Sequence, residues 1–313
     1  MNKSQERNFR RLLWFLLPVG ILILVWFFNV SKAGTRVEGC PQDCAIEKSG
    51  TGSTLRILSL NMLHGHPDFE NLDARLALIA QEITRLDADI VLLQEVPWTR
   101  QHGSAAKFLA EETGMNYLYL RANGNRGAIF FEEGEAILSR YPLKNSSFIE
   151  FQPRAGFFEH RVVLHASAET PQGDIDLFVT HLTNGEPYDN EAQAGSLKEF
   201  VDREASALAI ITGDFNAAPH SAQITSLSQS WVDAFPSANP QAEGFTCCVD
   251  DLISPQVTLR KRIDYIFLSP GDVDYSLDDV RVVFDHPFQV DNGWQWASDH
   301  AGMFMVISLE NID

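Results

Sequence analysis

Short apolar runs separated by turn residues dominate the chain after residue 53 and predict a β-rich domain. Alternating or continuous apolar positions predict strands at 55–61, 89–95, 134–142, 162–168, 174–180, 209–212, 262–268 and 301–309. Apolar residues at helical spacing predict helices at 71–86, with Asn71 as the cap, and at 193–207. Strands and helices alternate early, and strand follows strand later. This order predicts an α+β fold in which two mixed β-sheets pack face to face between outer helices, a four-layer sandwich.

An uncharged apolar stretch near the start of the chain predicts a membrane anchor. Leu12 to Val30 is 19 residues without a charge, close to the length needed to cross ~30 Å of hydrocarbon. Basic residues precede it, which predicts a cytoplasmic N-terminus and an exported domain. The alternative is a secreted protein, cleaved after a small-residue site at 31–33. The predicted organisation is therefore a cytoplasmic segment 1–11, a transmembrane signal-anchor helix 12–30, a linker 31–53 and a catalytic domain 54–313.

Four cysteines suit an exported protein. Cys40 and Cys44 lie in the polar linker, whereas Cys247 and Cys248 are adjacent in the domain. Export favours one or two disulfides, but four cysteines allow three pairings and the sequence does not choose among them. Zinc binding is the weaker interpretation, because no Cys-x-x-Cys motif or nearby histidine pair accompanies these residues.

Composition places the chain among ordinary globular proteins. Its residues are 45% hydrophobic and 21% charged, enough for a sizeable core. The formal net charge of −18 argues against a broad nucleic-acid-binding surface. A local nucleic-acid site remains compatible with this charge, because bound divalent cations reverse the sign of a site.

Several predicted strands end in polar residues that suit a metal or phosphate site. The run at 209–212 leads into Gly213-Asp214-Phe215-Asn216, whose alternation places Asp214 and Asn216 on one side. Taken alone, this Gly-Asp-x-Asn sequence is more typical of a turn. The other strand ends supply Asn61, Glu95, His181, Asp264, and the Asp299-His300 pair before the last strand. Repetition at so many strand ends favours a shared oxygen-rich site over separate turns.

The motifs together resemble the endonuclease/exonuclease/phosphatase superfamily, which includes exonuclease III, pancreatic-type deoxyribonuclease, neutral sphingomyelinases and inositol polyphosphate phosphatases. The resemblance covers roughly residues 54–310. It is carried, in chain order, by Leu60-Asn61, Gln94-Glu95, Ala136-Ile137-Leu138-Ser139, Thr180-His181-Leu182, Gly213-Asp214-Phe215-Asn216, Arg262-Ile263-Asp264-Tyr265 and Ser298-Asp299-His300. Each motif is weak, but their order and spacing together are specific.

The resemblance implies a Mg²⁺ site, with Mn²⁺ or another divalent cation as an alternative, and a role for each matched residue. Glu95 would be the main metal ligand, with Asn61 and Asp299 close to the metal. Asp214 would act at the metal and, with Asn216, position water and a phosphate oxygen. The catalytic pair would be His300, as the base, oriented by Asp264. His181 would contact the phosphate and stabilise its developing charge or assist the leaving group.

The implied function is metal-dependent phosphoester hydrolysis. Two departures from exonuclease III relatives disfavour abasic-site repair as the function. This chain has Thr-His-Leu where those relatives have an asparagine-centred motif, and it has Glu133 where they have a tyrosine. The first hypothesis is a membrane-tethered phosphodiesterase acting on a lipid headgroup or small phosphodiester. The alternatives are an extracytoplasmic nuclease and, less favoured, a noncatalytic binding module. Aromatic residues beside the motifs would contact a membrane or stack on bases, although such residues are more often core: Phe157, Phe158, Trp294 and Trp296. No protein partner is predicted.

Overall fold

The computed structural model describes residues 3–40, 44, 53–206, 208–271, 273–290 and 293–309. Six helices lie in these ranges: α1 (Lys3–Phe27), α2 (Leu72–Arg85), α3 (Ala105–Thr113), α4 (Pro187–Glu204), α5 (Ala222–Leu227) and α6 (Ala234–Ala238). The strands are β1 (Glu38–Gly39), β2 (Thr54–Asn61), β3 (Ile90–Gln94), β4 (Trp98–Thr99), β5 (Gly103–Ser104), β6 (Asn116–Asn125), β7 (Phe131–Ser139), β8 (Leu143–Glu150), β9 (Val162–Thr170), β10 (Gly173–His181), β11 (Leu208–Asp214), β12 (Val232–Asp233), β13 (Asp264–Ser269), β14 (Tyr275–Val283), β15 (Phe288–Val290), β16 (Gly293–Gln295) and β17 (Gly302–Leu309).

Two mixed sheets form the body of the domain, as predicted. The first has the strand order β1-β6-β7-β3-β2-β17-β14, with β4 and β5 at its side. The second has the order β12-β13-β11-β10-β9-β8. Each sheet contains one parallel pair, β2 with β3 and β10 with β11, among antiparallel neighbours. A hairpin between β9 and β10 confirms the predicted antiparallel pair around Gly173.

Alternation along the strands divides the core into three layers. The inner faces of both sheets meet in one apolar layer, which contains Ile57, Leu177 and Ile210. The outer face of the first sheet packs against α2 and α3, and that of the second against α4 and α5. This arrangement confirms the predicted α+β sandwich of two sheets between helices.

The first sheet has a strand where the sequence predicted only a linker. Glu38 and Gly39 pair with Tyr119 and Leu118 of β6, so part of segment 31–53 is attached to the domain. The sequence offered no period here, because two residues are too few to show one. Residues 41–43 and 45–52 of this segment lie outside the described residues.

The predicted transmembrane helix is not supported. Among the described residues, no helix is long and apolar enough to cross a membrane. Helix α1 ends at Phe27, before the predicted end at Val30, and its first half carries basic residues.

Asn71 occupies the predicted N-cap position of α2 without capping the helix by its side chain. Its backbone is left-handed, with φ of 49°, and its side chain makes no capping hydrogen bond. Instead, Asn71 Nδ2 donates to Gln295 Oε1 at 2.8 Å. Asn71 therefore links the start of α2 to the segment that precedes the last strand, which is a tertiary contact that helix periodicity does not reveal.

Candidate active site

The predicted site residues gather at one end of the layer between the two sheets. On the first sheet, Asn61 continues the inward-facing positions of β2. On the second sheet, His181, Asp214 and Asp264 continue the inward positions of β10, β11 and β13. Along each strand the other inward positions are mostly apolar, and the inward position at this end is polar. Because side chains alternate between the two faces of a strand, these polar side chains from both sheets point into the same end of the inter-sheet layer.

Close packing of two strands fixes the position of Asp214. A Cβ atom added to the preceding residue, Gly213, would lie 2.0 Å from the carbonyl oxygen of Thr180 on β10. Any side chain at residue 213 would push β11 away from β10. Glycine at this position therefore keeps Asp214 beside His181, its register partner on β10.

Glu95 is a charged carboxylate at the end of β3. Its backbone is left-handed, with φ of 54°, an unusual conformation for this residue type. Burial raises the pKa of Glu95, but the nearby imidazoles of His64 and His181, the His64 backbone N–H and the Asn61 amide together lower it to about 2. Asn61 Nδ2 donates to Glu95 Oε1 at 3.2 Å, and the His64 N–H donates to Oε2 at 3.1 Å. Glu95 is therefore ionised throughout the physiological range.

Asp214 lies at the centre of the cluster and is poorly compensated. Asn61 Nδ2 and the Asn216 backbone N–H donate to its two oxygens at 3.2 and 2.8 Å. Burial, and then the charge of Asp264, raise the pKa of Asp214 to about 7. A bound cation would reverse this shift, because it favours the ionised form.

His300 and Asp264 form a buried pair that joins the two sheets. His300 Nδ1 lies 2.9 Å from Asp264 Oδ2, and its Nε2 lies 3.8 Å from Asp214 Oδ2. Burial lowers the pKa of His300, but the Asp264 and Asp214 carboxylates outweigh burial and raise it well above the usual value. The imidazole is thus oriented through Nδ1, and its Nε2 faces the centre of the cluster.

His181 is the second histidine of the cluster, and Arg161 holds it. His181 Nδ1 lies 3.0 Å from Arg161 Nη1, and Nε2 lies 2.9 Å from Asn216 Nδ2. The Nε2 atom is also 3.4 Å from Asp214 Oδ2. Burial and the Arg161 charge lower the pKa of His181 well below its usual value. The ring is neutral and the Arg161 guanidinium donates to Nδ1, so the proton lies on Nε2. Its acceptor is Asp214 Oδ2 at 3.4 Å, because the Asn216 Nδ2 atom on the other side is itself a donor.

Asp299 approaches the cluster from the loop before β17. Ser298 Oγ donates to the Asn61 carbonyl at 2.6 Å and lies 3.2 Å from Asp299 Oδ1. Burial raises the pKa of Asp299, the nearby His300 lowers it, and the charge of Glu95 raises it further. Asp299 therefore shares the electrostatic environment of Glu95 and His300.

A buried arginine connects the loops on either side of this cluster. Arg75 Nη1 donates to the carbonyls of Met62 and Ala297 at 2.8 and 3.3 Å, and Nη2 donates to that of Leu63 at 3.0 Å. The loop after β2 and the loop before β17 are thereby held together. The sequence analysis did not single out Arg75, because the helical period of α2 assigns that position only to a helix face.

Three further polar residues of the site were not assigned from the sequence. Glu133 and Glu135 are buried on β7, and the Oε2 atom of each has no hydrogen-bond partner among the described residues. Glu133 also accepts from Asn123. Burial raises the pKa of Glu133 and, well above the usual value, that of Glu135. Glu133 and Glu135 lie four and two residues before Ile137, which faces the inner layer, so the two-residue period of the strand places all three side chains on the inner face. Arg161, the third residue, follows a loop and gives no such signal.

The donor set fits a hard divalent cation. Glu95, Asp299 and Asp214 offer carboxylate oxygens, the ligands that Mg²⁺ and Mn²⁺ prefer. Asn61 is the predicted amide ligand, but in this structure its Nδ2 faces Glu95 and Asp214, and its Oδ1 accepts from the Leu63 N–H. Ligand atoms of Asp214, Asp264 and His300 also lie within 4.8 Å of one another. Cys247 and Cys248 lie near His300, but their sulfurs are joined in a disulfide and are not thiolate ligands. The second disulfide joins Cys40 to Cys44.

The aromatic residues named from the sequence divide into core and surface. Trp296 is fully buried, whereas Trp294 is partly exposed. Phe157 and Phe158 are exposed and contact the ring of Phe27 at the end of α1. Phe158 also lines a cavity of about 350 Å³ beside Glu95. Phe158 thus shares a cavity with a residue of the cluster.

Comparison with known proteins identifies the family. The family model described as endonuclease/exonuclease/phosphatase family matches residues 58–300. No curated protein matches the chain.

Solved structures share the fold at low sequence identity. An endonuclease/exonuclease/phosphatase family protein from Leptotrichia buccalis is 19% identical, with a TM-score of 0.63 over 82% of this chain and 99% of that one. D. rerio TDP2 in complex with a single strand DNA product is 19% identical, with a TM-score of 0.65 over 82% and 99%. The mannosyl-6-phosphatase Bt3783 of Bacteroides thetaiotaomicron is 19% identical, with a TM-score of 0.62 over 81% and 99%. With the family model covering most of the chain, this protein belongs to the endonuclease/exonuclease/phosphatase family of phosphoester hydrolases.

Proposed function

We propose that this protein is a divalent-cation-dependent phosphodiesterase. The observation that carries the proposal is the single buried cluster at the end of the inter-sheet layer. It combines an ionised carboxylate, Glu95, with a histidine–aspartate pair, His300 and Asp264. Hydrolysis of a phosphodiester needs positive charge at the phosphate and a base for water, and this cluster provides groups for both.

Glu95, Asn61, Asp299 and Asp214 are the proposed ligands of Mg²⁺, or of Mn²⁺ or another divalent cation. When bound, such a cation neutralises the phosphate and polarises its P–O bonds. The protein's own part is to keep these donors ionised and in place. Hydrogen bonds from Asn61 and the His64 backbone do this for Glu95.

His300 is the proposed general base. Its Nδ1 is occupied by Asp264 at 2.9 Å, so Nε2 is the atom that would take a proton from water. The raised pKa of His300 would first have to fall, and a cation bound beside Asp214 would lower it by offsetting the Asp214 charge. Asp214 Oδ2 lies 3.8 Å from this atom, and Asp214 together with Asn216 would position the water and one phosphate oxygen. Asp264 stabilises the imidazolium that forms when the proton is taken.

His181 is the proposed donor to the phosphate. Arg161 occupies Nδ1, and burial keeps the ring neutral, so the Nε2 proton faces the cluster. This proton can hydrogen-bond the phosphate oxygen on which charge develops, or assist the departing oxygen. Asn216 Nδ2, 2.9 Å from the same atom, would share the contact.

A lipid headgroup or another small phosphodiester is the first proposed substrate class. The second candidate is a nucleic acid, which is favoured by the TM-score of 0.65 with TDP2 bound to a single strand DNA product. A noncatalytic binding module is disfavoured, because the charged Glu95 and the oriented His300 would have no role in it.

The test is hydrolysis of bis(p-nitrophenyl) phosphate by the purified full chain. We expect turnover with Mg²⁺ or Mn²⁺, none with EDTA, and a loss on the order of 10³-fold in Glu95→Gln. Glu82→Gln is the matched control, since Glu82 binds Arg85 on α2. Metal-independent turnover, or equal turnover by the parent and Glu95→Gln, would contradict the proposal.

We also propose that the domain acts outside the cytoplasm. The support is that Cys40–Cys44 and Cys247–Cys248 are both disulfides, which persist in oxidising compartments. Denatured protein isolated without reductant should then contain no free thiol. Four titratable thiols in protein taken from its native compartment would exclude this location.

A further inference from the structure

A second cavity adjoins the catalytic cluster on the side away from Glu95, and its walls are basic. This basic pocket has a volume of about 500 Å³ and opens beside Asn216. Its other lining residues are Asn184, Ala218, Pro219, His220, Glu243, Phe245, Arg260, Lys261, Arg262 and Ile263. Glu243 is the one carboxylate among these lining residues.

Two of its cations are free to meet a ligand. Arg260 and Lys261 are exposed, and neither forms an ion pair with a carboxylate among the described parts of the chain. Arg262, in contrast, is buried and bound to Asp233 at 2.8 Å. The net charge of the chain is −18, so two adjacent unpaired cations beside the site create a local field opposite to that of the whole molecule.

The wall that carries these cations is connected to the base. The backbone N–H groups of Arg260 and Lys261 donate to the carbonyl of Cys247 at 2.7 and 2.9 Å. Cys247 also pairs with His300 across an isolated β-bridge. The backbone that carries Arg260 and Lys261 is therefore connected to the backbone of His300 through Cys247.

The cavity on the Glu95 side has the opposite character. It is lined by three carboxylates, Glu95, Glu133 and Glu159, and its Arg161 is bound to Glu159. An anionic substituent would be repelled there when it extends past the phosphoester. The two sides of the cluster thus differ in charge, and a substrate with two different ester arms would bind in one direction.

We propose that the basic pocket binds a second anionic phosphate group of the substrate, carried on the ester arm that leaves the catalytic cluster at Asn216. Arg260 and Lys261 contact this phosphate, and His220 lies at the same pocket. Phe245, 39% exposed, supplies a ring face for the part of the arm between the two phosphates. The inference rests on the proposed phosphodiesterase function and narrows its substrate class to doubly phosphorylated esters.

The experiment compares two chromogenic substrates with the same scissile bond. One is thymidine 5′-(p-nitrophenyl phosphate), and the other carries an additional 3′-phosphate. We expect the 3′-phosphate to lower KM by roughly tenfold, an advantage that shrinks at high ionic strength. The double variant Arg260→Gln/Lys261→Gln should bring the ratio of the two KM values close to one.

A matched variant removes the same charge elsewhere. Lys198→Gln/Arg203→Gln lies on α4, where both residues pair with acidic neighbours. This variant should keep the full KM ratio. An equal KM for both substrates in the parent, or the same loss of preference in both double variants, would overturn the basic pocket as a phosphate site.

Binding without turnover separates this inference from the proposed function. Thymidine 3′,5′-bisphosphate should bind the parent roughly tenfold more tightly than thymidine 5′-phosphate by calorimetry, and equally to Arg260→Gln/Lys261→Gln. Failure of hydrolysis with this binding preference retained would reject only the catalytic proposal. Equal binding of both nucleotides by the parent would reject the pocket.

Lipid substrates supply the second source of the same chemistry. Vesicles of phosphatidylcholine with either phosphatidylinositol or phosphatidylinositol 4-phosphate differ by one phosphate on the headgroup. A preference confined to the phosphorylated lipid identifies a headgroup arm, and one confined to the nucleotide identifies a nucleotide arm. In either case the preference should depend on Arg260 and Lys261, and its persistence in the double variant would contradict the assignment.

Discussion

Within the described residues, two buried histidine–aspartate pairs are joined at 2.9 Å, His165–Asp176 and His300–Asp264, and they differ in how well the carboxylates at each place are compensated. At the end of β10 away from the site, Asp176 accepts from His165, Ser167 and the N–H and hydroxyl of Ser206. Burial raises its pKa, but these four hydrogen bonds outweigh burial and lower it to about 2. The pair is complete within the protein itself.

At the catalytic end, the pair His300–Asp264 lies beside a carboxylate that the protein does not satisfy. Burial and Asp264 raise the pKa of Asp214 to about 7. Nearby, Glu133 and Glu135 each have an oxygen without a hydrogen-bond partner. Buried polar groups in native proteins are usually satisfied. The contrast indicates that one pair supports the fold, whereas the other is arranged for a ligand.

The largest expected effect comes from replacing the histidine of each pair with glutamine, one at a time. His300→Gln should lower kcat by on the order of 10³-fold, because it removes the proposed base. His165→Gln should leave kcat within a few-fold of the parent, because His165 contacts Asp176 and not the cluster. Steady-state rates on bis(p-nitrophenyl) phosphate measure both, and similar losses in the two variants would abolish the distinction.

The ionised carboxylates of Asp176 and Asp214 should have opposite effects on the free energy of unfolding. The pKa of Asp176 falls from 3.8 to about 2 on folding, so its carboxylate stabilises the folded state above pH 3.8 and loses this effect as pH falls through 2. Asp176→Asn should therefore lower the free energy of unfolding by about 2 kcal/mol at neutral pH, with no difference left near pH 2.

The pKa of Asp214 is raised, so its carboxylate destabilises the folded, metal-free protein as pH rises from 3.8 through 7. Asp214→Asn should accordingly increase stability at pH 8 in EDTA and make no difference below pH 4. Urea unfolding followed by circular dichroism at several pH values tests both variants. Destabilisation by Asp214→Asn in EDTA at pH 8 would show that its charge is already compensated.

Stabilisation by added Mg²⁺ should depend on the cluster around Glu95 and not on the region around Asp176. If Mg²⁺ binds the folded state, a concentration ten times its Kd increases the free energy of unfolding by about 1.4 kcal/mol. Glu95→Gln should lose this stabilisation, and Asp176→Asn should keep it. Thermal unfolding with and without Mg²⁺ measures the shift, and an equal shift in Glu95→Gln would place the cation elsewhere.

The smallest expected effect comes from the disulfides. Cys247 pairs through its backbone with both Lys261 and His300, so reduction of Cys247–Cys248 should loosen the support of His300 and lower kcat about threefold. Measuring kcat after treatment with reduced dithiothreitol, and again after reoxidation, tests this expectation. Cys40→Ala/Cys44→Ala should retain the response, and Cys247→Ala/Cys248→Ala should not respond. A response in the latter variant would assign the effect to another group.

The strand-end residues could be predicted because strand period acts over short distances. Asn61, Asp214 and Asp264 lie on strands whose apolar positions already specify the inner face. Both their direction and their shared end of the sheets could therefore be predicted from the alternation. Five further residues of the site set lie in or beside short polar motifs: Glu95, His181, Asn216, Asp299 and His300. The family resemblance supplied their proposed roles, which the experiments above test.

What the sequence did not predict depends on contacts between distant segments. Arg161 reaches His181 from a loop, and the side chain of Asn71 binds Gln295 instead of capping α2. The two-residue strand β1 is defined only by its partner β6. The transmembrane prediction counted the uncharged residues 12–30 as one helix, whereas helix α1 ends at Phe27.

The buried guanidinium of Arg75 also has a consequence for turnover. It fastens the carbonyls of Met62 and Leu63 to that of Ala297, so the loops bearing His64 and Asp299 cannot separate without breaking charged hydrogen bonds inside the protein. We therefore expect these two loops to keep their spacing when a substrate binds.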